Sequence, residues 1–559
     1  MTANLLVLTS ILWLARLDVL LAAVEASNPF DDGDNVPQQN KTEGIAIAAP
    51  GESTREFMEL HQVTHVDEMA VCNDGSPGAY YHRPGAAANS TRWVIRFLGG
   101  AWCWDGPSCA ARNTSTPYLM STTALPAQTS ARTHAPGLPD VVLQSHGITS
   151  VEADQNPSFA SWNHVHVWYC SSDSHLGDAF PGSGAEFVGW QFRGRRIAAA
   201  VIADLLTWRG LSGATHVLLT GDSAGGVGVM NLADRISSIL REEAPDLESV
   251  KLFVDAGWFL DIPPYANRSD GMTFQKCAKA LAASYGAVYD GSCEQSFSVG
   301  EWWRCFFAQD CHVHLETPTL FHEYLYDSAN LGYDGAGSSA EAEDFRSRLE
   351  ASFKLSEASS AWNGSCDNAT DDMAPLGGIA QSLEHQQVSG SISREMPRTD
   401  ALGNAYGERV HNNLPGLEVS DAAENTRWER VAQAFALSKV PGQALRAENS
   451  PLQPRTAEPS AEVPLTTAAN GSMTCRAQAH SKPNIFAPAC QLHEMIDSVL
   501  FTTSHVGNAR FVDVLEAWFS GLLSSVHVLD SHFGVRGGDE CGFDPASAQQ
   551  LAAVVTTGA

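Results

Sequence analysis

The stretch THVLLTGDSAGGVGVMNLADR, residues 215–235, constrains the fold of this chain more than any other. An aliphatic and β-branched run from Thr215 to Thr220 stops at Gly221, and apolar residues at Val229, Leu232, Ile236, Ile239 and Leu240 follow at helical spacing. Between them stands Gly221-Asp222-Ser223-Ala224-Gly225. Gly-x-Ser-x-Gly alone arises by chance in roughly one chain in five of this length, so the letters decide little. Their place between a strand and a helix decides more. A sharp strand-to-helix turn has no room for a Cβ at its flanking glycines, and it sets the serine at a helix N-terminus, whose partial positive charge favours an alkoxide-like oxygen. Ser223 is the candidate nucleophile; the competing reading is a glycine-rich turn without chemistry.

The same alternation of strand and helix continues on either side. Short apolar runs at residues 93–98, 165–169, 217–219 and 250–254 read as buried strands. Between the second and third, FRGRRIAAAVIADLLTWRG sets Ile197, Val201, Leu205 and Trp208 on one helical face. Strands separated by helices need crossover connections, which predicts an α/β chain: a mostly parallel sheet with helices on both faces. Two regions break the rhythm. The segment from Cys277 to Cys311 is rich in Cys and Trp and reads as a disulfide-stapled cap. From about Gly335 to Lys482 the chain is mostly polar, with helical patches at 344–353 and 427–439.

Composition narrows the function. The chain carries 34 Lys+Arg against 64 Asp+Glu, a formal net charge of −30. Such a surface repels phosphate backbones and anionic headgroups, which argues against nucleic-acid and membrane-surface partners. Residues 5–15 (LLVLTSILWLA) form an apolar run followed by small residues at 24–26, the pattern of an export signal. Arg16 and Asp18 interrupt that run, so no stable membrane anchor is expected. Twelve scattered cysteines fit an oxidising compartment, and without a paired Cys-x-x-Cys they give no metal site. Sequons begin at Asn40, Asn89, Asn113, Asn267, Asn363, Asn368 and Asn470. Together these predict a secreted glycoprotein.

A serine hydrolase needs two further parts. RFLGGAWCWDG, residues 96–106, places consecutive glycines directly after an apolar strand, where an α/β-hydrolase sets one oxyanion N–H; the other comes from the residue after the serine, Ala224. The acid and the histidine then follow the serine in chain order. Asp327 closes the apolar run 320–327 as a strand-end carboxylate, with Glu323, Asp334 and Asp255 as competitors. For the base, His493, His505, His527 and His532 all remain open.

Several blocks in fixed order carry a resemblance. AVCNDGSPGAYYHRPG, FLGGAWCWDG, SWNHVHVWYCSSDSHLGD, FRGRRI, GDSAGG, DAGWFLD, LYDSANL and NIFAPACQLHEM resemble the pectin acetylesterase and Notum carboxylesterase family, covering roughly residues 55–355 and 480–530. GGAWC resembles the acetylesterase side more closely. The resemblance implies an α/β-hydrolase-like fold and an acyl-enzyme mechanism with Ser223 as nucleophile, His493 as base and Asp327 as its orienting acid. It further implies oxyanion donors at Gly100, Ala101 and Ala224, and disulfides Cys72–Cys170 and Cys103–Cys109. No metal or organic cofactor is implied, and the substrate would be an acetylated polysaccharide or another ester. Asp222 departs from the family, whose members often carry Cys or Ser there. The expected organisation is a signal peptide at 1–26, a polar segment at 27–54, one esterase domain over 55–545 with an insertion at about 355–480, and a tail at 546–559. An anionic pectin substrate would need local compensation of the negative charge, for which Arg193, Arg195 and Arg196 are the candidates, unless they form a solvated helix start.

Overall fold

The computed structural model describes residues 57–87, 89–124, 138, 141–143, 146–179, 189–265, 273–359, 421–437, 483–536 and 541. The expected signal peptide, N-terminal polar segment and tail lie outside them, as do Asn40, Asn267, Asn363, Asn368, Asn470 and most of the insertion.

Among the described residues ten strands form one sheet. In chain order they are β1 (Phe57–Gln62), β2 (Ala79–Arg83), β3 (Arg92–Phe97), β4 (Val141–Leu143), β5 (Asn163–Val167), β6 (His216–Asp222), β7 (Ser249–Asp255), β8 (Thr319–His322) and β9 (Asn484–Ala487). A two-strand ribbon, β10 (His505–Val506) and β11 (Ala509–Arg510), stands apart, and β12 (His527–Leu529) completes the sheet. The order across it is β12-β9-β8-β7-β6-β3-β5-β2-β1-β4. Every pairing from β12 to β5 is parallel, and β2, β1 and β4 extend the sheet antiparallel.

Alternation along the central strands explains why both faces are covered. Ile95, Phe97, Val217 and Leu219 enter one core, whereas Val94, Leu218, Phe253 and Phe486 enter the other. The first is covered by α2 (Gly194–Asp204) and α3 (Ser223–Glu243), with α1 (Gly106–Ser115) beside the β3 end. Further along come α4 (Ser328–Asp334), α5 (Ser339–Ser359) and α6 (Asp421–Ala434); the second core is closed by α7 (Phe511–Phe519), through Phe511, Leu515 and Trp518.

The two disulfides implied by the resemblance are present, and Cys293–Cys305 staples the cap, while Cys490–Cys541 ties the last described residue to the loop after β9. Asn89 and Asn113 are exposed. The expected insertion contributes α6, whose Val431, with Phe435 just past its end, is fully buried in the first core. Arg427 of α6 donates to Glu243 at 2.9 Å and to the Leu206 carbonyl at 3.1 Å.

Arg193, Arg195 and Arg196 stand neither at a solvated helix start nor on a substrate-facing patch. They are 0%, 1% and 2% exposed. Arg196 bonds Asp178 at 2.7 Å and Asp67 at 2.9 Å, and Arg193 bonds Asp178 as well. Buried guanidinium groups need carboxylate partners, and these three have used their charge on the core.

The serine turn depends on two absent side chains. A Cβ at Gly221 would lie 2.5 Å from the Gly225 carbonyl, and one at Gly225 would lie 2.1 Å from the Phe97 carbonyl of β3. Gly225→Ala is expected to destabilise the protein by about 1–3 kcal/mol, because backbone must shift to admit the methyl group; denaturant unfolding of the purified variant measures this.

Candidate active site

Ser223 stands where β6 ends and α3 begins, with φ at 52°, in the left-handed region that side chains other than glycine rarely adopt. Its Oγ lies 2.8 Å from Nε2 of His493, and Nδ1 of the same ring lies 2.6 Å from Oδ2 of Asp327. The other Asp327 oxygen accepts the Asn330 backbone N–H at 2.6 Å and the Asn330 side-chain amide at 3.1 Å.

Asp327 does not end a strand. β8 stops at His322, the chain turns through Tyr324, and Asp327 is the N-cap of α4. A capping aspartate must turn its carboxylate onto the first helical amides, which fixes one oxygen and leaves the other for an outside donor. His493 takes that place. The competing acids have other partners: Asp255 ends β7 but accepts His322 and the amides of Met495 and Ile496, and Glu323 accepts the Trp258 amide. Asp334 is buried at the far end of α4. His505 contacts the Thr503 carbonyl, while His527 and His532 are exposed.

The loop after β3 holds Gly100 and Ala101 at φ 129° and 54°. Consecutive residues in such conformations turn their N–H groups toward one side. Ala224 is the first residue inside α3 after the serine. Among the described residues, no acceptor takes the N–H of Gly100, Ala101 or Ala224. The loop is pinned by Asp222, whose Oδ2 accepts the Gly99 N–H at 2.9 Å and whose Oδ1 accepts Nε of Arg96 at 2.8 Å. Arg96 reaches on to Asp497 at 3.0 Å. Asp222, beside Ser223, therefore gives one oxygen to the Gly99 amide and the other to Arg96, and ties the serine turn to the glycine loop. Sequence reasoning left Arg96, Glu494 and Asp497 unnamed; only the position of Glu494 next to His493 could have flagged one of them.

An aromatic wall adjoins the site. Trp102, directly after Ala101, contacts Phe259, Phe274 and Phe306 with ring centroids 5.2–6.0 Å apart. Phe259 lies 6.4 Å from the His493 ring.

The sequence profile of the pectinacetylesterase family matches residues 52–368, which include Ser223 and Asp327 and stop short of His493. Among curated relatives, palmitoleoyl-protein carboxylesterase notum2 of Xenopus laevis is 33% identical over 286 residues, 50% of this chain and 54% of that protein. The Notum palmitoleoyl-protein carboxylesterase of Drosophila melanogaster is 29% identical over 367 residues, 63% of this chain and 49% of its own. The chain spans about half the length of the curated relatives it matches. A crystal structure of the Wnt deacylase Notum from Drosophila shares the fold, with a TM-score of 0.56 at 20% identity, covering 87% of this chain and 99% of that one.

Charge around the histidine is lopsided. Burial opposes protonation of His493, but Asp327 and then Glu494 outweigh it and hold its pKa up to about 9. Glu494, with an oxygen 3.5 Å from Nε2 of His493, is itself raised to about 8 by burial and by the nearby Asp222. A base that stays protonated needs alkaline pH to work. An ester hydrolysis that used His493 as its base would show an acid limb in kcat/KM well above the ordinary imidazole range. Glu494→Gln removes a negative charge, so that limb should move to lower pH by roughly a unit; a kcat/KM profile against pH for both proteins tests this, and an unmoved limb would refute the coupling.

Proposed function

The chain belongs to the pectinacetylesterase family, and on that footing we propose that it hydrolyses carboxylic esters with Ser223 as nucleophile, His493 as general base and then acid, and Asp327 as the carboxylate that orients the imidazole. The observation that carries this reading is the unbroken hydrogen-bond chain from Ser223 Oγ through His493 to Asp327. Ser223 attacks the ester carbonyl as His493 takes its proton. The tetrahedral oxyanion is held by the amides of Gly100, Ala101 and Ala224, the alcohol leaves with the proton, and water repeats the cycle on the acyl-enzyme. Disulfides and two exposed sequons support secretion.

The acyl group in this reading is short, an acetyl on a polysaccharide. The rings of Trp102, Phe259, Phe274 and Phe306 pack on one another beside the histidine and leave a long chain to part them. A neutral glycan fits better than a polyuronate, because Arg193, Arg195 and Arg196 are buried against Asp178 and Asp67 while Glu494 lies 3.5 Å from Nε2 of His493. A second reading, removal of a longer acyl group from a protein or lipid, is favoured by the 33% identity to a palmitoleoyl-protein carboxylesterase.

One experiment separates them. Acetate release from acetylated xylan and acetylated pectin, with a 4-nitrophenyl ester series from acetyl to palmitoyl, is measured for the protein and for Ser223→Ala. The expected outcome is fastest turnover of acetyl esters, with xylan ahead of pectin, and a loss of roughly a thousandfold or more in kcat in the variant. Preference for the long esters would establish the second reading. A folded protein inert on the whole set would leave a silent glycan-binding relative.

A further inference from the structure

Behind the imidazole the fold buries a carboxyl that the Ser223–His493–Asp327 chain does not use. Glu323 directly follows β8, four residues before Asp327, and both are fully buried. Its Oε2 accepts the Trp258 N–H at 2.9 Å. Its Oε1 meets no donor among the described residues. The carboxyl is within hydrogen-bonding reach of Asp327, which as a carboxylate can only accept.

The two acids are unequally served. Asp327 has three donors, two from Asn330 and one from His493. Glu323 has one. Two buried carboxylates in contact do not both stay ionised, and the charge settles where the donors are. A sealed oxygen with no donor is satisfied if it carries the proton itself. The other ionisable groups nearby point the same way: Asp255 adds a further negative charge, and the His322 ring next to Glu323 is bonded to Asp255. Burial first, and Asp327 next, push the Glu323 carboxyl well above its ordinary range.

We propose that Glu323 is a neutral carboxylic acid whose O–H donates to Asp327 and so fixes the carboxylate that orients His493. It is a positioning residue, and its role in turnover rests on the proposed Ser223–His493–Asp327 mechanism. The added donor holds the Asp327 rotamer without adding charge. An ionised Glu323 would instead tighten the hold on the His493 proton and make the base still harder to free.

The test uses the full chain with Glu323→Gln and Glu323→Leu. Glutamine is neutral, of the same shape, and keeps a donor; leucine has none. Infrared difference spectra at neutral pH between wild type and Glu323→Gln should show a protonated-carboxyl C=O band present only in the wild type. Glu323→Gln should keep kcat within about threefold and leave the acid limb of kcat/KM in place. Glu323→Leu, if folded, should lower kcat roughly 10–100-fold with little change in KM, as loss of an outer orienting partner does. Absence of that band, or an acid limb displaced downward by about a unit in Glu323→Gln, would show an ionised Glu323 and overturn the proposal. The infrared arm reads the Glu323 proton whatever the activity of Ser223→Ala, so failure of the catalytic reading is separable from failure of this one.

Discussion

The contact between the serine turn and the end of β3 is the constraint on which the rest depends. Gly225 lies against the Phe97 carbonyl so closely that a methyl group cannot fit. That approach brings the start of α3 beside the glycine loop, and Asp222 then locks the two together through Gly99 and Arg96. A strained φ at Ser223 costs on the order of 1–3 kcal/mol, and it persists because parallel pairing of β6 with β3 and β7 holds both sides of the turn. Ser223 and the amides of Gly100, Ala101 and Ala224 are thus placed by one packing event.

The proton side of the site follows a different logic, one of shared carboxylates. Asp327 caps a helix with one oxygen and meets His493 with the other; Asp255 pins the chain just beyond His493 through the amides of Met495 and Ile496. Buried carboxylates are costly unless each receives hydrogen bonds, and this cluster gives most of its oxygens a donor. The Arg96 guanidinium bonds Asp222 and Asp497, while Asp327 and Glu494 are the carboxylates that face the imidazole. The raised pKa of His493 is the consequence.

The sheet was legible in the sequence because buried parallel strands read as short apolar runs: all four runs became β3, β5, β6 and β7. The turn at Ser223 was legible because glycine spacing reports steric exclusion directly. Choosing one histidine of four was not possible from periodicity, since His493 sits in a loop with no repeating pattern, and family blocks supplied it. Asp327 was read as a strand end because Leu320 to Tyr326 is mostly apolar and aromatic, broken only by His322 and Glu323; pattern alone does not show that the strand stops at His322 and a helix cap follows. The three arginines were ambiguous for a related reason. Burial of a charged side chain depends on where its partner lies, and Asp67 is 129 residues from Arg196.

The long gap between acid and base raises the question of how His493 finds its place. His493 and Asp327 are 166 residues apart. Closure entropy grows only with the logarithm of loop length, so each doubling of such a connection costs about 0.6 kcal/mol. Local anchors therefore decide the position. β9 pairs with β8, the Cys490–Cys541 disulfide holds the loop on one side of His493, and the Asp255 bonds to Met495 and Ile496 hold it on the other. The segment is tied back partway as well, because Val431 of α6 and Phe435 just after it are buried, and α6 is joined to α3 by the Arg427–Glu243 pair. With anchors on both sides of His493 and at α6, the position of the imidazole is set by these local contacts rather than by the length of chain that precedes it.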